Sequence, residues 1–348
     1  MIEKTVNLIL LGFGHVGRAF YRLTEDKSEQ VKERYGLNLS VRAIVNSEGG
    51  VLSDGRITSK SWAVGAAGNL TEHPFWRQGL KLGSILQAIK PGVVVECTPS
   101  NLKTGEPALS HVRLALGNGW HVVTANKGPL VVDFRGLKQK AADHHLAFEF
   151  SAAAGAALPG LDVGFYSLAG AEITAIEGIL NGTSNFILTQ MACGIPYEEA
   201  LREAFLKGIA EPDPSQDVEG WDTAVKTLLL ANAVLGLDLT LGNIDVEGIT
   251  NIPDQLRDGA KAEGKALKLL GRITKSGSQF KAEVKLTSIP SSHPLFGVSG
   301  TNKGLTFFTD TMGEVTVTGG RSDPRGAAAA LLKDIINIYR RAQTTSLV

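Results

Sequence analysis

An apolar run, Val6 to Leu11 (VNLILL), ends at Gly12-Phe13-Gly14-His15-Val16-Gly17, and a helical pattern follows to about Lys27. Few folds accept this order. A continuous apolar run closed by glycine suits a parallel strand buried on both faces. In the order strand, G-x-G-x-x-G, helix, the glycines supply a tight turn, close approach of backbone to a pyrophosphate, and close packing of helix on strand. The helix N-terminus adds unpaired N–H groups for the phosphates. The chain is therefore expected to open with a dinucleotide-binding α/β domain, with Gly12, Phe13, Gly14, His15, Val16 and Gly17 as cofactor contacts. Lys4 before the apolar run superficially resembles a signal peptide, but the run is short and no small-residue cleavage site follows, so it reads as a strand.

The first half continues the same architecture. A second strand, Leu39 to Val45, ends in Asn46-Ser47, where NAD-specific folds usually place Asp or Glu on the ribose 2′-hydroxyl. Asn46 is taken as a cofactor contact. The missing acid favours NADP over NAD, with Arg56 or Lys60 as partners for a 2′-phosphate. A polar excursion from Glu48 to about Gly79, containing Trp62 and Trp76, precedes a helical pattern to Ile89. Strand Val93 to Glu96 then leads to Cys97-Thr98-Pro99-Ser100-Asn101, and ligands bind at such strand ends in open parallel sheets, which marks Thr98, Pro99 and Ser100. Cys97 has no histidine nearby in sequence to activate it and reads as a small buried thiol. Helix Gly105 to Leu116 and strand His121 to Thr124 end at Lys127, a candidate charge at the cofactor cleft. The domain closes near residue 150.

Composition narrows the partners. Lys plus Arg and Asp plus Glu both count 35 in 348 residues, leaving no basic excess for nucleic acid. The longest small and apolar run, Ser151 to Ala171, is broken by Pro159, Gly160 and Asp162, so no membrane span is expected. Two cysteines, Cys97 and Cys193, are too few for a disulfide framework and suit a reducing cytoplasm.

In the second half, strand Glu172 to Leu180 runs into Asn181-Gly182-Thr183-Ser184-Asn185-Phe186. Asn-Gly marks a turn, Thr183 or Ser184 can cap the following helix, and the helix N-terminus makes a cradle for a substrate carboxylate. Tyr197 to Lys207 is an amphipathic helix. Then comes Glu211 to Lys226 (EPDPSQDVEGWDTAVK), five carboxylates and a lysine. Pro212 and Pro214 make its first part a turn. Helix is expected from about Asp217, with Asp222 and Lys226 on one face. From Leu267 onward the runs KLLGRITK, FKAEVKLTSI, GLTFFTD and EVTVTG read as an antiparallel sheet suited to a subunit interface. A helix from about Arg325 to Tyr339 returns to the first domain. The fold class is thus α/β: a Rossmann-type doubly wound parallel sheet (1–150, completed by 320–348) plus an α+β catalytic and dimerisation domain (151–319) with a mainly antiparallel sheet.

Together GFGHVG, CTPSN with TGEPALSHVRLAL, HVVTANKGPL, NGTSNFIL and EPDPSQDVEGWDTAVK resemble homoserine dehydrogenase in its short form without a C-terminal regulatory domain. The resemblance covers nearly the whole chain. It implies interconversion of L-homoserine and L-aspartate 4-semialdehyde with NAD(P), in threonine and methionine biosynthesis, by dimers or tetramers, and a homodimer is expected here. It also implies that Lys226 handles the hydroxyl proton beside Asp222, and that Glu211 and Asp217 hold the ammonium end. Gly182 and Thr183 would line the substrate pocket, while Lys127 touches substrate and nicotinamide. The chemistry agrees, since oxidising an alcohol requires a base, and two lysines converging on one oxygen lower each other's pKa. Which lysine is the base stays open at this point.

Two segments depart from the family. Its E-A-(S/T)-V-G segment, which helps hold a monovalent cation, is here Ser151-Ala152-Ala153-Ala154-Gly155, which argues against a cation at Ser151, Ala154, Ala156 and Leu158. GGRSDPRGA replaces a C-terminal Gly-Ala-Gly pattern. No metal site is expected. Two rival readings are another two-domain NAD(P)-dependent semialdehyde reductase, with a cysteine nucleophile, and a non-catalytic dinucleotide sensor.

Overall fold

The computed structural model describes residues 3–62, 69–320 and 322–345. It divides into two compact units, Met1–Ala156 with Asp323–Val348, and Ala157–Ser322. Arg321 and residues 63–68 of the expected excursion lie outside the described residues.

In the first unit the chain runs β1 (Lys4–Leu11), α1 (His15–Asp26), α2 (Ser28–Tyr35), β2 (Leu37–Val45), β3 (Gly49–Leu52) and β4 (Trp76–Gln78). It continues through α3 (Leu82–Ala88), β5 (Val93–Glu96), α4 (Ala108–Gly117), β6 (His121–Thr124), α5 (Gly128–Asp143), β7 (Phe148–Glu149) and α6 (Ser151–Ala154). The sheet order is β4-β3-β2-β1-β5-β6-β7. From β2 to β7 every pair is parallel, as the expected Rossmann-type sheet demands. Leu8, Leu10, Val93, Val95 and Val123 are fully buried, which is why these strands read as unbroken apolar runs. The excursion differs from expectation: Gly49–Leu52 and Trp76–Gln78 add two antiparallel strands. Short strands next to Gly and Pro carry too little periodicity to be seen in sequence.

The helix Pro324–Thr345 packs along α1 and α6, contributing Leu331, Ile335 and Tyr339 to the same core. Its Asp334 is 2% exposed and accepts from the Ser151 amide (3.0 Å) and hydroxyl (2.8 Å), while Lys333 Nζ reaches both Ser151 Oγ (2.9 Å) and Asp334 (3.0 Å). Ser151 thus anchors the last helix.

The second unit holds α7 (Gly160–Asp162), β8 (Ile173–Ile179), α8 (Gly182–Ala192), α9 (Tyr197–Leu206), α10 (Ser215–Val218), α11 (Trp221–Val234), β9 (Ile244–Val246), α12 (Asp254–Ala262), β10 (Ala266–Ser276), β11 (Gln279–Ile289), β12 (Lys303–Thr309) and β13 (Glu314–Gly319). The order β13-β12-β8-β10-β11-β9 is antiparallel except where β9 joins β11. The mainly antiparallel sheet is as expected. α11 lies across β10 and β11, burying Ala224, Val225, Leu228 and Leu229. Among the described residues no helix is long and apolar enough to cross a membrane.

Burial raises the Asp334 carboxyl from its ordinary 3.8 to about 6. The folded chain therefore binds a proton between these values that the unfolded chain releases, so this group's contribution to stability falls as pH rises from about 4 to about 6, by up to roughly 3 kcal/mol. In urea titrations at pH 4.5 and 7, Asp334→Asn should lack this step. A wild-type minus variant difference that is flat across the window contradicts the assignment.

Candidate active site

In the first unit three backbone hydrogen bonds link four strand ends around the glycine turn. Gly12 N donates to Val45 O (2.8 Å), Cys97 N to Leu11 O (2.8 Å) and Ala125 N to Glu96 O (3.0 Å), so the loops after β1, β2, β5 and β6 share the C-terminal edge of the sheet. Gly12 has φ +87°, and a Cβ there would stand 2.6 Å from the Cys97 carbonyl; one on Gly17 would strike Gly12 O. A Cβ on Gly14 would meet nothing within 4 Å. The turn is thus closed underneath and open above, and Gly14 leaves the start of α1 without a side-chain cap. That is the shape and polarity a pyrophosphate fits. His15 is exposed and Val16 half-buried at the start of the same helix, while Phe13 is buried against Tyr21 and stacked on Trp62.

The two loops beyond β5 and β6 are bound to each other. Asn126 Nδ2 donates to the carbonyls of Thr98 (2.9 Å) and Pro99 (3.1 Å), and Lys127 N to Ser100 Oγ (3.1 Å). Beneath them Glu96, 0% exposed, accepts from the amide and hydroxyl of Thr98 and pairs with His111 at 2.8 Å. Burial first, and the Glu96 charge second, push the Cys97 thiol well above its ordinary range. It is no ready thiolate.

Arg56 is not where sequence reasoning put it. Arg56 donates to Thr24 O (3.3 Å) and Ser59 N to Glu25 (2.7 Å), against the C-terminal end of α1, roughly 15 Å from its N-terminus at 1.5 Å rise per residue. A loop's fold-back is not visible in its composition. Asn46 is at the end of β2 as expected, its Oδ1 accepting from the amides of Glu48 (2.9 Å) and Gly49 (3.0 Å).

In the second unit the charges converge on one carboxamide. Asn181 Nδ2 donates to Asp217 Oδ1 (2.6 Å) and to Asp222 Oδ2 (2.8 Å), while its Oδ1 caps α8 by accepting from Ser184 N (2.8 Å). The cap is therefore Asn181, not Thr183 or Ser184, whose positions fall inside the helix. Lys226 Nζ donates to Asp222 Oδ2 (2.6 Å) and to Leu180 O (2.8 Å), with only 13% of its side chain exposed. This is a held ion pair, unlike a solvated i,i+4 pair. Burial, then the neighbouring Asp222 charge, raises the Asp217 carboxyl above its ordinary range against the pull of Asn181, Lys226 and Thr183. Thr183 Oγ1 also donates to Ile209 O (3.1 Å), tying the cradle to the turn before Glu211.

The expected helix from Asp217 is interrupted. Asp217 sits in the single turn of α10, and Gly220, at φ +88° with no room for a Cβ against Glu247 O (2.6 Å), redirects the chain into α11. Asp222 and Lys226 keep their shared face. Glu211 is exposed and outside this cluster. Asn181 is the residue sequence reasoning missed as a site residue; its position just before a helix was the available signal. Among the described residues no group of three or more His, Cys, Asp or Glu side chains gathers as a metal site.

A glycine turn shaped for a pyrophosphate in one unit, and in the other a part-buried lysine held in place beside two carboxylates, are parts that suit a nicotinamide-dependent oxidoreductase. The comparisons give the family. The model of the homoserine dehydrogenase NAD-binding domain matches residues 12–151, and that of homoserine dehydrogenase matches 159–336. The homoserine dehydrogenase of Methanocaldococcus jannaschii is 39% identical over 96% of this chain and 98% of its own length. An NAD(+)-dependent homoserine dehydrogenase of Pseudomonas canavaninivorans is 33% identical over 96% of each chain. The crystal structure of a homoserine dehydrogenase from Archaeoglobus fulgidus, 32% identical, superposes with a TM-score of 0.84 over 96% of this chain and 99% of that one. The chain belongs to the homoserine dehydrogenase family, NAD(P)-dependent oxidoreductases of homoserine.

Asn181→Ala should leave the protein folded, at a cost of about 1 kcal/mol for the lost cap, and lower kcat/KM for homoserine at least about tenfold, the equivalent of one charge-assisted hydrogen bond. Activity within twofold of wild type would remove Asn181 from the site.

Proposed function

We propose that the protein interconverts L-homoserine and L-aspartate 4-semialdehyde, with Lys226 as the group that moves the hydroxyl proton. The observation that carries this is the Lys226 ammonium, held by Leu180 O and Asp222 through two of its three N–H groups. The third is left for a substrate oxygen. In the reductive direction Lys226 gives its proton to the aldehyde oxygen as the alkoxide forms; in the oxidative direction it takes the proton back. Asp222 orients the ammonium, and Asn181 orients Asp222. When bound, the nicotinamide cofactor supplies or accepts the hydride.

Substrate binding follows from charge. Asp217 and Asp222, gathered on the Asn181 carboxamide, receive the substrate ammonium, with Glu211 as a further, exposed carboxylate nearer solvent. Gly182 and Thr183, at the start of α8, offer backbone N–H groups to the substrate carboxylate. Gly12 through Gly17 cradle the pyrophosphate, while Thr98, Pro99, Ser100 and Lys127 border the nicotinamide end. We assign the protein to a homodimer, supported by the half-buried sheet face bearing Ala175, Glu177, Arg272 and Phe308. Both cysteines are free, which fits a cytoplasmic location.

For the cofactor, the turn after β2 supports use of both NAD and NADP. It offers Asn46, Ser47 and Glu48, neither an acid on the strand end nor a cation for a 2′-phosphate. The ratio of kcat/KM for NADH and NADPH should therefore lie within about tenfold. Asn46→Asp should turn it at least about tenfold toward NADH through the hydroxyl-binding acid of NAD-specific folds. An unchanged ratio would move the selectivity elsewhere.

The direct test follows NAD(P)H absorbance with homoserine or aspartate semialdehyde. Lys226→Ala should lose at least about 10²-fold in kcat while cofactor affinity holds. Full turnover in that variant rejects the assignment, and cofactor binding without any turnover in the wild-type protein rejects catalysis.

A further inference from the structure

Lys268, on β10, is only 5% exposed, and lysine is almost never so buried without a counter-charge. Here its partners are neutral. Nζ donates to Asn185 Oδ1 (3.3 Å) and to the carbonyl of Val298, and burial pulls its pKa down to about 8. A charge kept under such conditions stiffens whatever it holds.

What it holds is the loop from Val298 to Asn302. Asn185, on the second turn of α8, donates to the carbonyls of Val298 (3.3 Å) and Asn302 (3.0 Å). One turn further on, Thr189 Oγ1 accepts from Gly300 N (3.0 Å). Between these anchors the Thr301 carbonyl stands 2.8 Å from the place of a Cβ on Gly182. The loop is therefore the wall that faces the start of α8, where Gly182 and Thr183 form the substrate cradle. The charges bearing on Asp217 are those of Asp222 and Lys226, so the part left to Lys268 is the loop it holds.

We infer that Lys268 is a positioning residue for the substrate: through Asn185 and the loop Val298–Asn302 it fixes the wall opposite Gly182, and so sets how tightly the amino-acid end of homoserine is held. This rests on the cradle's role in the proposed function. Lys268→Met keeps bulk but removes the donors. It should raise KM for homoserine at least about fivefold with kcat within threefold and the Kd for NADPH unchanged. Thr189→Val, a milder cut at the neighbouring anchor, should raise the same KM at least about twofold, and it decides the matter if Lys268→Met does not fold. A lysine that only stabilises the unit would lower Tm and leave KM alone. Folded variants with unchanged KM, or with kcat lost at constant KM, overturn the inference. Absence of homoserine turnover in the wild-type protein would instead overturn the proposed function.

Discussion

The site depends on one carboxamide. Two carboxylates drawn together repel each other, and burial makes that repulsion dearer. Asn181 holds Asp217 and Asp222 with its two N–H groups and spends its oxygen on the helix cap. One side chain thereby fixes where α8 begins and where the negative charge lies. Lys226 pairs with Asp222 at 2.6 Å.

The cofactor cradle works by the opposite means, with shape in place of charge. Gly12 and Gly17 are glycines because backbone lies where their side chains would be, whereas Gly14 is one with open space above it. The first two close the turn and the third leaves it accessible. Behind the strand-end loops, Glu96 accepts from the amide and hydroxyl of Thr98 and pairs with His111, and Asn126 joins Thr98 and Pro99. The loop proposed to border the cofactor is thus a braced surface, with donors inside it already committed. A braced loop loses little entropy when a ligand settles on it.

Legibility in the sequence followed the range of the interaction. Strands Val93–Glu96 and His121–Thr124 matched their runs residue for residue, because burial on both faces leaves a continuous apolar signature. The pairing of Asp222 with Lys226 was also visible, being four residues apart on one helix. Asn181 was read only as half of a turn signal, since its carboxylate partners lie 36 and 41 residues away. Arg56 was misplaced for a related reason: where a loop folds back depends on contacts with Thr24 and Glu25 that no periodicity encodes. Lys268 went unnoticed because one lysine inside KLLGRITK fits an alternating strand, and nothing local says that this one faces inward.

The two buried charges on opposite sides of that problem show what position alone decides. Asp334 and Lys268 are nearly equally hidden, and burial shifts each toward its neutral form. Asp334, however, has a lysine beside it and two donors from Ser151, so its ionised form is supported where it anchors a helix. Lys268 has only a carboxamide and a carbonyl, which is enough to orient a loop but too little to make the charge comfortable. A charge held by neutral dipoles fixes geometry while adding little field at a distance, since the dipoles turn toward it. That is the arrangement the proposed substrate wall requires, because the loop is fixed by hydrogen bonds to neutral groups rather than by a further ion pair.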